Sequence, residues 1–145
     1  MEISFYQLKT TPIDKALPKL LEKAYDAGHR VHVVANAAEM KKFDDSLWTF
    51  HPQKFLPHGT TEPSVQPIFL ASDSENKNNA TILAVTNGSK IPDVSHFVKV
   101  LDIFDGNIEP QLQSARERWK LYKAAGYVLK YWLQDDKGNW AEKSA

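Results

Sequence analysis

Arg116, Trp119, Lys120 and Lys123 are the residues whose types and spacing best suit chemistry in this chain. On a helix of 3.6 residues per turn they share an arc of roughly 100°. A guanidinium clamps a carboxylate through two parallel hydrogen bonds. An indole beside it offers an apolar wall, and two ammonium groups attract acids. Such a face suits a short acidic peptide with a hydrophobic end, its terminal carboxylate included. The same spacing also suits a solvated helix face with Trp119 turned into the core, because Leu112, Ala115 and Tyr122 form an apolar stripe beside it. Gln111 to Lys130 holds five basic residues against one acid, Glu117, and two of the chain's three arginines. The whole chain has a formal net charge of zero, so positive charge is concentrated here.

Other reactive types are present without a pattern that uses them. His29, His32, His51, His58 and His96 include no pair at the spacing of a helical metal site. Asp44-Asp45 and Asp135-Asp136 are adjacent pairs, which do not converge on one face of a helix or strand. No serine lies in a Gly-x-Ser-x-Gly context. Absence of cysteine excludes disulfides, thiolate nucleophiles and cysteine zinc sites. No glycine stands in Lys9-Thr10-Thr11-Pro12, where a dinucleotide fold places its phosphate loop, and no P-loop motif occurs. These residues predict no catalytic, cofactor or metal site. A small α/β hydrolase or nucleotide-binding enzyme using His58 or His96 is the alternative, and direct single-stranded-DNA binding by the basic helix is another. Neutral net charge weighs against the last.

A second cluster joins Leu47-Trp48-Thr49-Phe50 to Phe55-Leu56-Pro57-His58. It reads as a local hydrophobic plug or as an exposed interface anchor, since Trp and Phe dominate interface hot spots.

The elements that must position these residues follow from periodicity. Ile3 to Leu8 is a first strand. Thr10-Thr11-Pro12 opens a helix whose Leu17, Leu20, Leu21 and Ala24 bury one face, and Gly28 stops it. Val31 to Ala35 is a short β-rich run suited to burial on both faces of a parallel sheet. Strand, helix and strand make a βαβ unit. Asn36 caps a second helix, roughly Ala37 to Leu47. Prolines 52, 57, 63 and 67 make a long loop from Trp48 to Pro67. Ile68 to Ala71 and Thr81 to Thr86 are further strands, and His96 to Phe104 suits a strand or the tail of a short helix. Pro110 introduces the basic helix, which Gly126 ends, and Tyr127 to Gln134 is a strand with a turn and return strand after it. At 145 residues and 42% hydrophobic content, one α/β domain with a proper core is expected. No apolar stretch approaches membrane-spanning length, and no signal peptide opens the chain, so a cytoplasmic protein is expected.

Taken in order, Phe5-Tyr6-x-Leu8, Gly28-x-Arg30-Val31-x-Val33, Leu47-Trp48-x-Phe50, Phe55-Leu56-Pro57-His58 and Ala115-Arg116-Glu117-Arg118-Trp119-Lys120-x-Tyr122-Lys123-x-Ala125-Gly126-Tyr127 resemble the chi subunits of bacterial DNA polymerase III holoenzyme. The resemblance covers nearly the whole chain. It implies a Rossmann-like fold, a mixed but mostly parallel sheet flanked by helices without nucleotide binding, and a noncatalytic accessory role in DNA replication. It implies a heterodimer with the psi subunit, which tethers chi to the clamp-loader complex. It also implies binding of the acidic C-terminal tail of single-stranded-DNA-binding protein (SSB), so that contact with nucleic acid is indirect. By that resemblance Arg116 receives the tail's carboxylate, Trp119 replaces the usual tyrosine as pocket wall, and Lys120 and Lys123 attract its acids. Phe55 anchors the psi surface, flanked by Pro57 and His58, with Trp48 in support. Two departures accompany it: Leu112 stands where some relatives carry a basic residue, and the tail after Trp132 is longer than in some of them.

Overall fold

A computed structural model describes residues 1–51, 56–73, 75–76, 78–87 and 94–143. In chain order the elements are β1 (Glu2–Leu8), α1 (Ile13–Asp26), β2 (Val31–Val34), α2 (Ala37–Thr49), β3 (His58–Gly59), β4 (Ile68–Ala71), β5 (Ile82–Thr86), β6 (Lys99–Asp105), α3 (Glu109–Ala124), β7 (Val128–Gln134) and β8 (Trp140–Lys143). A 3-10 turn at Pro63–Val65 precedes β4. Among the described residues, eight strands form one sheet in the order β3-β4-β2-β5-β6-β1-β7-β8. Every pairing is parallel except β7 with β8.

Alternation along the strands divides the core in two. Val31 and Val33 of β2, with Leu101 and Ile103 of β6, pack with Leu17, Leu20 and Leu21 of α1 and Phe43 and Leu47 of α2. Val34, Val100 and Phe104 point the other way, joining Ile3, Phe5 and Ala115 of α3. All four β2 residues are buried, as expected of a strand covered on both faces. The helices start and stop where their chemistry allows. Asn36 Oδ1 accepts from the Glu39 N–H at 2.9 Å and caps α2. Gly28 and Gly126 adopt φ of +88° and +87°, which suits glycine at helix C-termini.

Several expectations are revised. β1 and β2 are not neighbours, because β5 and β6 lie between them in the sheet. Strand order is a long-range property, and a local βαβ pattern does not encode it. Trp48 belongs to the last turn of α2 rather than to the loop after it. The apolar run after His96 becomes strand only from Lys99.

The turn from β1 into α1 is the clearest case of tertiary structure overriding local rules. No threonine caps α1, whose N-cap is Pro12 without a side-chain bond. Instead the N–H groups of Lys9, Thr10 and Thr11 all donate to Gln134 Oε1, at 3.0, 2.9 and 3.0 Å. Gln134 Nε2 donates to Thr11 Oγ1 at 2.8 Å. Backbone donors at a first βα turn commonly cradle a phosphate; here a buried amide from the end of β7 uses them. This contact pins the β7–β8 hairpin to the turn between β1 and α1. Gln134→Ala strands those donors at a partly hydrated turn and is expected to lower stability by about 1–3 kcal/mol. Urea denaturation of the two proteins measures it; equal midpoints would show the contact to be dispensable.

Candidate functional site

α3 is set between two turns that use its free backbone groups. Asn107 N–H donates to Asp105 Oδ1 at 2.9 Å, and Pro110 enters the first turn, where a missing N–H costs nothing. At the far end Gly126 N–H donates to Lys123 O and Tyr127 N–H to Tyr122 O, closing a Schellman motif.

An ion pair joins α3 to the sheet. Asp102 in β6 is fully buried. Arg118 meets it with two hydrogen bonds, Nε to Oδ2 at 2.7 Å and Nη2 to Oδ1 at 2.8 Å. Its Nη1 donates to Ser114 Oγ at 2.6 Å. The arginine side chain is only 11% exposed, so the pair is out of water at both ends. Burial pushes the Asp102 carboxyl up from its ordinary value, and the Arg118 guanidinium pulls it back down. Tyr122 lies beside the pair, its phenol pushed up to about 12 by burial first and by the Asp102 charge second.

With Arg118 committed inward, the other cations of α3 turn out. Arg116, Lys120 and Lys123 are exposed, and none forms a salt bridge among the described residues. Trp119 sits on the border and is half-buried. Its indole meets the Phe5 ring edge-on at 5.3 Å and the Tyr131 ring at 5.6 Å. Trp119 therefore packs on the core cluster and stays partly open to solvent. Sequence reasoning missed Tyr131, although alternation along β7 puts Leu129, Tyr131 and Leu133 on the α3 face.

The second cluster gathers at the other end of the sheet. Trp48 is 57% exposed and stands edge-on over His58 at 5.0 Å. His58 is buried; its Nδ1 donates to Leu56 O at 2.6 Å and its Nε2 lies 3.2 Å from Asp44 Oδ1. Pro57 between them is half-buried. Phe55, the expected anchor, lies outside the described residues. The α2 cluster and the α3 face are on opposite sides of the sheet, six strand spacings apart, or about 29 Å.

The remaining histidines are dispersed. His32 is buried in β2 with Nε2 2.6 Å from Asp73 O, His29 Nδ1 is 3.0 Å from Thr81 Oγ1, and His51 and His96 are exposed. Among the described residues no three of His, Asp and Glu are grouped to hold a metal ion. No described helix is long and apolar enough to cross a membrane.

Residues 1–130 match the sequence model of a family described as DNA polymerase III chi subunit, HolC. Three relatives carry the same description. The probable DNA polymerase III subunit chi of Rickettsia prowazekii is 29% identical over 106 residues, 68% of this chain and 64% of that one. The match therefore spans a little under two thirds of the Rickettsia relative. The DNA polymerase III subunit chi of Pseudomonas aeruginosa is 28% identical over 114 residues, 77% of this chain and 79% of that one. That of Haemophilus influenzae is 25% identical over 125 residues, covering 83% and 86%. The family match stops inside β7.

Removing one partner of the Asp102–Arg118 pair has a signed pH dependence. A carboxyl whose folded value is raised contributes stability that is present below its unfolded value and lost as pH rises through the folded one. Arg118→Met deletes the one group pulling Asp102 down, so its deficit widens with pH. The expected loss is about 3–5 kcal/mol near neutrality and less in mild acid. Asp102→Leu combined with Arg118→Met should recover most of it. Urea titrations across that range check both; a pH-independent deficit would contradict the charged pair.

Proposed function

This chain belongs to the DNA polymerase III chi subunit family, a noncatalytic component of that DNA replication enzyme, and from that premise we propose that it joins two protein partners. One is the acidic C-terminal tail of SSB, taken by Arg116, Trp119, Lys120 and Lys123. The other is the psi subunit, taken by Phe55, Pro57, His58 and Trp48, and through psi the clamp loader. The chain then works in the bacterial cytoplasm, where the chromosome is copied.

The observation that carries this reading is the division of labour on α3. Arg118 is spent on the core, while Arg116, Lys120 and Lys123 stand exposed and, among the described residues, without acidic partners beside a half-buried indole. A helix locked to its sheet needs no backbone ordering when an anion arrives, so the entropy cost is confined to the side chains. A planar guanidinium suits the terminal carboxylate, and the indole suits the apolar residue before it. For psi, the supporting feature is Trp48, a large exposed aromatic held over a fixed imidazole. Aromatic anchors of this kind dominate hot spots.

Fluorescence anisotropy with a labelled SSB tail peptide tests the first site. Arg116→Ala should weaken binding about tenfold to a hundredfold, the worth of a hydrogen bond to a charged group, without loss of fold. The amidated peptide should bind wild type as weakly as the free acid binds that variant. Equal affinities for free acid and amide would remove the carboxylate role of Arg116. For the second site, Trp48→Ala should weaken psi binding at least tenfold and leave the peptide affinity unchanged; the reverse would exchange the two sites.

A further inference from the structure

Resting on that reading of α3, we infer that the tail-binding surface has a second wall, built by the β7–β8 hairpin, in which Tyr131 forms the floor and Lys143 adds a further cation. The family match ends at residue 130, so both residues lie beyond it.

The geometry starts from register. Tyr131 pairs with Lys143 across the antiparallel β7–β8 ladder, so both side chains point to one face. That face is the α3 face, because Tyr131 meets Trp119 edge-on at 5.6 Å and Phe104 at 6.4 Å. Lys143 Nζ stands 5.9 Å from the centroid of the Tyr131 ring. The neighbouring acid of β8, Glu142, pairs with Trp132 and points to the opposite face. The Arg116 charge also reaches Tyr131: burial pushes that phenol up, and Arg116 pulls it down. Trp119 and Arg116 from the helix thus converge on the same ring that Lys143 approaches from the hairpin.

The floor is held in place. The Tyr131 hydroxyl donates to Gln7 Oε1, and its ring lies parallel to that of Phe5. The hairpin is anchored by Gln134 on the β1–α1 turn and closed by Gly138 at φ of +83° and by Asn139 N–H donating to Asp135 Oδ1 at 2.9 Å. Among the described residues β7 is followed by β8, and both outer strands keep residues open to solvent. Tyr131, Leu129 and Leu133 stay half-buried on a face that Arg116 and Lys143 approach.

Charge complementarity selects the occupant. An aromatic floor between cations of a helix and a cation of a facing strand fits an acidic peptide with an apolar C-terminal residue. The peptide runs between the two walls, its last side chain on Trp119 and Tyr131 and its acids spread between the two sets of cations.

A labelled synthetic peptide of four aspartates, a leucine and a terminal phenylalanine with a free carboxylate is the probe, titrated into the full chain. Lys143 is exposed, so Lys143→Glu should fold normally. It is expected to weaken binding about threefold to tenfold, from one attraction lost and one repulsion gained, and the effect should shrink at high salt. Arg116→Ala serves as the reference. If it abolishes binding while Lys143→Glu binds as wild type, the second wall is wrong and the α3 site stands. If neither variant changes affinity, the α3 reading itself fails. If only Lys143→Glu weakens binding, the peptide lies on the hairpin alone and the two-walled site is overturned. Amide chemical shifts of Ala141 and Lys143 that move with peptide give an independent readout; shifts confined to α3 would overturn the proposal.

Discussion

The bidentate contact between Asp102 and Arg118 is the constraint on which the rest depends. A buried carboxylate is tolerable only with a partner that satisfies both oxygens, and Arg118 does so from the adjacent helix. α3 buries just one residue completely, Ala115, so apolar burial alone fixes its rotation weakly. The ion pair fixes it strongly. Once Arg118 points inward, helical geometry sends Arg116, Lys120 and Lys123 outward and leaves Trp119 on the border between core and solvent. The charged face of the helix is thereby fixed in its orientation.

The sheet separates this surface from the other aromatic cluster. α1 and α2 cover one face and α3 the other, with Trp48 and His58 near the β3 edge and Trp119 near the β7 edge. The two proposed partner surfaces therefore do not overlap. The first βα turn, where related architectures take phosphate, is filled by Gln134, so the fold's habitual ligand position serves to fasten the C-terminal hairpin.

Much of this was legible in the sequence where the signal is local. Asn36 as a cap, Gly28 and Gly126 as stops, and the apolar period of α1 all reflect contacts within a few residues. The basic character of α3 was equally plain. Strand order was not, because β5 and β6 enter between β1 and β2 only through long-range pairing. Gln134 was not, because its donors lie 123 to 125 residues away. Arg116 and Arg118 look alike in sequence, and their opposite roles are decided by Asp102. One signal did exist: a single aspartate inside the apolar run from Val100 to Phe104 demands a buried cation, and few arginines are available. Trp119 was ambiguous because its position is truly intermediate.

The central claim is that two partners occupy opposite faces independently. The direct measurement is the affinity of the SSB tail peptide for the chain alone and for its preformed complex with psi. Sites this far apart with no shared contacts should not couple, so Kd is expected to agree within about twofold. Displacement of the peptide by psi would contradict the account.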